Sequence, residues 1–164
     1  MIPAVARALA VACAALLGAG AARAEEGATP RFADGAVIFA ANCAVCHRAN
    51  GAGQAGLAPP LTSYPGRYIA SAEGRRQLVL TLLYGMFGDI VVDEHHYNFK
   101  MPEFARFDDA TLAAVINHVV FDLSKAPAGA EPIRAEELAR ERALALGGDA
   151  VRRHRAQVLD ATPP

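Results

Sequence analysis

Cys43-Ala44-Val45-Cys46-His47 is the stretch on which the reading of this 164-residue chain turns. C-x-x-C-H is the attachment signature of a c-type haem. At the end of a helix, two cysteines three positions apart reach the two vinyl groups on one haem edge and form thioethers. The adjacent His47 then lies under the iron. Three other readings of the motif compete. A zinc site needs two further ligands at similar spacing, but Cys13 is the only cysteine outside the motif. A thioredoxin-like redox pair needs a βαβ setting, and the flanks show none. The third is a chance match, against which the export signal and helical setting below both argue.

Upstream, the chain opens as a secretory signal. Arg7 supplies a positive start, residues 8–22 are uncharged, and Ala22-Arg23-Ala24 places small residues at −3 and −1 of a cleavage site. The uncharged run is short for a membrane span, which takes about 20 apolar residues; an uncleaved anchor is the alternative. Cys13 lies inside this run, and Ala10-Val11-Ala12 before it makes a poor lipobox, so it reads as a removed apolar residue. Cleavage after Ala24 leaves 14 basic and 17 acidic residues and two cysteines, the number one haem takes. Residues 1–24 are thus expected to be a signal peptide and 25–132 the haem domain, with 133–164 a charged helical tail. The mature chain has no later segment fit to cross a membrane. Its near-neutral charge argues against a nucleic-acid binder.

The pattern outside the motif is helical. Thr29-Pro30 is expected to cap a first helix carrying Phe32, Ala36, Phe39 and Ala40. Residues 48–67, rich in Gly and Pro, read as loop. Ser71 caps a second helix with Leu78, Val79, Leu82 and Leu83 at helical spacing, ended by Gly85. Residues 86–107 read as irregular, with Ile90-Val91-Val92 too short for a sheet. Asp108 caps a third helix, whose Leu112, Val115, Ile116, Val119, Val120 and Leu123 keep one apolar face. Pro127 and Gly129 break the chain. The tail is expected to be helical in two pieces around Gly147-Gly148. Long loops between three helices are easier to explain if they wrap something other than protein.

A haem iron that only transfers electrons takes a second axial ligand. The candidates are Met86, Met101, His95, His96, His118 and His154. Met101-Pro102 stands out, in a loop just before the third helix, where Pro stiffens the chain beside the sulfur. Met86 reads as packing, His95 and His96 as exposed loop residues, His118 as partly buried packing and His154 as solvated. Gly51-Ala52-Gly53-Gln54-Ala55-Gly56 matches G-x-G-x-x-G, but no strand precedes it, so it reads as a loop passing close to the haem rather than a nucleotide site. Arg67, Tyr68, Arg75 and Arg76 have the chemistry to hold haem propionates.

These features together resemble the class I monohaem c-type cytochromes, especially the bacterial ones serving periplasmic dehydrogenases and oxidases. The likeness runs over about 30–125: Gly35-x-x-x-Phe39 into the C-x-x-C-H motif, then Pro59-Pro60-Leu61, Leu83-Tyr84-Gly85-Met86-Phe87-Gly88 and Tyr97-Asn98-Phe99-Lys100-Met101-Pro102-Glu103-Phe104. It implies an all-α cytochrome c fold with one covalent haem c, held by Cys43 and Cys46, and His47 and Met101 as axial iron ligands. It also suggests that the Pro59 carbonyl accepts the other ring N–H of His47. Asp93-Glu94-His95-His96 departs from the usual turn and sets two imidazoles near Met101 in sequence. A position often aromatic in the family is here His118, leaving Phe121 to contact Phe39. The function implied is periplasmic one-electron transfer, not enzymatic, between a dehydrogenase donor and an oxidase or other cytochrome acceptor. Arg48 and Lys100 flank the exposed haem edge and would favour an acidic partner. Two other readings are a haem c subunit of a multi-subunit dehydrogenase, docked by the tail, and a haem sensor that binds a small molecule.

Overall fold

Gly35 decides how the first helix meets the last core helix. A Cβ there would lie 2.1 Å from the carbonyl oxygen of Ala114, so only glycine lets the two backbones approach this closely. The computed structural model describes residues 30–161; the expected signal peptide and Thr29 lie outside them. The helices are α1 (Ala33–Asn42), α2 (Ala44–His47), α3 (Tyr64–Tyr68), α4 (Ala72–Tyr84), α5 (Asp109–Asn117), α6 (Ala135–Glu141) and α7 (Gly148–Ala161). The fold is the expected all-α one. α1 packs across α5, while α6 packs on α4 and α5 and α7 on α4.

The core forms where the apolar stripes of α4 and α5 meet. Leu78, Val79 and Leu83 close on Leu112, Ile116 and Val120, with Ile133 and Leu138 from the following segment completing the cluster. Asn117 pins that segment to α5: its side chain donates to the Ile133 carbonyl at 2.9 Å and accepts the Ile133 N–H at 2.7 Å. Both expected caps are present, as the Ser71 and Asp108 side chains accept the Gly74 and Thr111 N–H groups. The tail does fall into two helical pieces, divided by Ala145 in the left-handed conformation.

Four local expectations are corrected. α1 begins at Ala33 with no local side-chain cap; instead the Asp122 carboxylate, some 90 residues away, accepts the N–H groups of Arg31 and Phe32 at 2.9 and 3.0 Å. The third helix is not one helix to Leu123, because a π-helical segment, His118–Leu123, follows α5. That wider turn carries Asp122 to α1. Phe121 stacks on Phe32 at 5.5 Å, and it is His118 that contacts Phe39, edge-on at 5.4 Å. Finally, Ile90–Val92 (β1) does pair, with His95–Tyr97 (β2), in a hairpin whose two turn residues, Asp93 and Glu94, both have positive φ. That is the turn geometry matching the twist of paired strands.

Candidate functional site

The C-x-x-C-H motif is built at a helix junction. Cys43 ends α1, its N–H bonded to the Phe39 carbonyl at 2.8 Å, and the single turn α2 follows directly. Gln54 reaches back and donates to the carbonyls of Val45 and Cys46, closing that turn. Both thiols are free. Burial pushes the Cys43 thiol up to about 11, with Arg106 opposing and Cys46 adding to the rise, so it stays protonated at neutral pH. A thiolate-based redox pair would need the reverse. Among the described residues no group of three or more His, Cys, Asp or Glu gathers to hold a metal, so zinc chemistry has no support here.

Cys43, Cys46 and His47 all line one large apolar cleft, with Pro59, Tyr68, Met86, Tyr97, Met101 and Arg155 also on its walls. His47 Nδ1 donates to the Pro59 carbonyl at 3.1 Å. With the proton on Nδ1, Nε2 keeps its lone pair for a metal. Burial pulls the His47 pKa below its ordinary value, with the Pro59 bond opposing, which keeps the ring neutral. Gly53 secures this arrangement. Its N–H donates to the His47 carbonyl at 3.0 Å, and a Cβ on it would lie 2.6 Å from the Ala58 oxygen. The G-x-G-x-x-G match is thus a loop that folds against the His47 turn.

Also on the cleft lining, Met86 and Met101 face one another on antiparallel backbones, exchanging N–H···O bonds of 3.1 and 2.8 Å. Opposed residues of such a pair project to the same side, and both line the cleft. Gly85 permits the contact, since a Cβ there would meet the Met101 carbonyl oxygen at 2.4 Å. Met86 packs on the hairpin cluster of Ile90, Val92 and Tyr97, and Met101 on the main core.

The remaining candidates stand elsewhere. His95 and His96 are exposed on β2 and do not line the cleft; His96 pairs with Asp89 at 2.9 Å. His118 is buried, bonded through Nδ1 to Asp122 at 2.9 Å. His154 is not solvated as expected, because it bridges α7 to α4, bonded to Gln77 at 2.6 Å and Glu73 at 3.1 Å. Arg75 and Arg76 point away from the cleft and pair with Glu137 and Glu141, and Arg67 lies over the Tyr64 ring. Of the four proposed propionate partners only Tyr68 lines the cleft. Arg48 and Lys100 are exposed. The sequence reading missed Arg155, which sits with Val151 and Val158 on the buried stripe of α7. A charged residue in phase with that apolar stripe was the available signal.

Two free thiols, a neutral imidazole and a thioether around an apolar cleft suit a flat apolar group that binds iron. Helices wrapped around such a cleft define a small haem protein of the c type. The chain belongs to the cytochrome c family: the family model for cytochrome c matches residues 32–120. It is 42% identical over 116 residues to cytochrome c-552 of Thermus thermophilus, covering 70% of this chain and 88% of the relative. The match to cytochrome c-552 of Thermus thermophilus strain ATCC 27634 has the same identity and covers 78% of that relative. This chain therefore carries haem c and is an electron carrier, with redox proteins as partners. Among the described residues no helix is long and apolar enough to cross a membrane.

Proposed function

We propose that this protein is an exported, periplasmic one-electron carrier with His/Met-ligated haem. Cys43 and Cys46 would form the thioethers, with His47 and Met101 the axial ligands. The observation that carries this reading is that His47, oriented by Pro59, and the paired Met86 and Met101 line one and the same cleft. When bound, the haem supplies an iron that cycles between ferric and ferrous. The chain's part is to keep the ligands still, so that little reorganises as the electron moves. Pro59 fixes the imidazole. The backbone pairing with Met86 and the close approach of Gly85 fix Met101. A thioether ligand and the apolar walls both raise the potential. Both methionines pack on a neighbouring cluster; Met101 is preferred over Met86 because Pro102 follows it and stiffens the chain beside the sulfur.

Partners would dock where the cleft opens, beside Val45 and Phe99, which are 77% and 60% exposed, with Arg48 and Lys100 adding positive charge. A free carrier is preferred over a dehydrogenase subunit because the tail buries its own apolar residues, Leu138, Val151 and Val158, in this chain. Residues 1–24 would be removed on export. The test is the optical spectrum of wild type, Met101→Ala and Met86→Ala. Loss of the weak far-red sulfur–iron band in Met101→Ala alone supports the assignment. Loss only in Met86→Ala moves the ligand to that residue. Ready binding of carbon monoxide by the wild-type ferrous protein contradicts a six-coordinate carrier and favours a sensor.

A further inference from the structure

Arg106 lies in the loop that leads from Met101-Pro102 to α5. It is exposed, yet its guanidinium makes three defined contacts. It sits over the Phe104 ring at 5.2 Å and the Phe107 ring at 4.5 Å. It also donates to Asn42 Oδ1 at 2.8 Å. Asn42 is oriented to receive it: its Nδ2 donates to the Ile38 carbonyl, one turn back in α1, at 2.9 Å. The carboxamide therefore turns its oxygen to Arg106. Asn42 directly precedes Cys43, and the Arg106 charge reaches the Cys43 thiol, opposing the rise that burial causes.

These contacts join two separate stretches of the cleft lining. Asn42 and Cys43 come from the end of α1, and Met101, Pro102 and Phe104 from the loop before α5. A second, smaller apolar cavity is lined by Asn42, Cys43, Met101, Phe104 and Phe107 together. Packing between the two stretches is thus incomplete, and a void forfeits the contacts that would hold them. The loop is tied in two other directions. The Phe104 N–H donates to the Leu82 carbonyl of α4 at 2.8 Å, and Arg142 donates to the carbonyls of Ala105 and Phe107. Among the described residues, the bond from Arg106 to Asn42 is the loop's one hydrogen bond to α1. We propose that Arg106 is a positioning residue for the axial ligand, clamping the Met101 loop to the haem-attachment end of α1. This rests on Met101 being that ligand. The sulfur leaves the iron only when its loop swings out, and swinging away from α1 breaks the clamp. Without Arg106 that opening costs less, and an external ligand competes better for the iron.

The experiment uses the ferric holo-protein, with the haem content of every variant checked by its absorbance. Imidazole is titrated against the far-red sulfur–iron band in wild type, Arg106→Leu, Arg106→Lys, Asn42→Ala and the double variant of Arg106→Leu with Asn42→Ala. Arg31→Leu is the control, because Arg31 is also an exposed cation over two rings, Phe32 and Phe121, at 5.1 and 5.0 Å, but does not line the cleft. Loss of one hydrogen bond to a charged group should tighten imidazole binding about tenfold in Arg106→Leu. Asn42→Ala should match it, and the double variant should gain no more than either single change, since both remove one interaction. Arg106→Lys, which keeps the charge and a donor, should recover most of the difference, and Arg31→Leu should behave as wild type. Unchanged imidazole affinity in Arg106→Leu overturns the proposal. So does an equal gain in Arg31→Leu, or single gains that multiply in the double variant. A wild type without the far-red band, or one whose band survives Met101→Ala, overturns the ligation reading instead and takes the clamp with it.

Discussion

Gly53 carries more of the site than its size suggests. It sits at φ +72 with its Cα against the Ala58–Pro59–Pro60 backbone, so an added methyl would push on the segment that orients His47. Gly56 has nearly the same φ, +73, and open space around it. Gly56→Ala should lose only the backbone cost, about 1–3 kcal/mol. Gly53→Ala should lose clearly more and should also shift the haem spectrum, because the Pro59 carbonyl moves. Urea denaturation and absorbance of the two holo-variants check this; equal losses would show that the contact with Pro59 is unimportant. The five residues 43–47 could be singled out at this scale because covalent haem attachment demands that spacing, and Cys43, Cys46 and His47 do line one cleft. Arg155 was not, because balanced charge in the tail reads as a solvated face until one residue is placed in phase with Val151 and Val158.

Between elements, Asp122 does the work expected of a local cap. It joins the π-helical segment to the start of α1 and holds His118 at 2.9 Å. Burial raises its pKa, but the His118 bond and the N–H groups of Phe32 and Arg31 outweigh that and hold the carboxyl below its usual range. The unfolded carboxyl therefore takes up a proton at a higher pH than the folded one. Its stabilisation is complete above the ordinary Asp value of about 4 and fades as pH falls through the folded value. Asp122→Asn should cost about 1–3 kcal/mol at neutral pH. The gap to wild type should narrow below about pH 4, as urea titrations at several pH values would show. The helices α4 and α5 were legible from apolar spacing and from Ser71 and Asp108. The π-helical segment was not, since Val119, Val120 and Leu123 satisfy a helical period whichever hydrogen-bond pattern they adopt. β2 escaped notice because His95-His96-Tyr97 lacks β-branched residues, and the tight turn at Asp93-Glu94 lacks glycine.

Across the whole molecule, charged pairs fasten the C-terminal helices to the haem-bearing core. Arg75 binds Glu137 through two bonds of 2.9 and 2.6 Å and donates to the carbonyls of Glu131 and Pro132. Arg142 holds Asp109 and the carbonyls of Ala105 and Phe107. Arg75→Ala leaves Glu137 half-stranded and should cost about 2–3 kcal/mol, at the lower end for a mostly buried pair. Thermal unfolding of the holo-protein checks it; a change within error would mean that the Arg75–Glu137 pair does not hold α6. The measurement that tests the central claim most directly is the denatured intact mass of the purified holo-protein. A single species is expected, with the mass of residues 25–164 plus one haem, the added mass mapping to the peptide that contains Cys43 and Cys46. A polypeptide mass without haem, its colour lost to acid and organic solvent, would contradict the account.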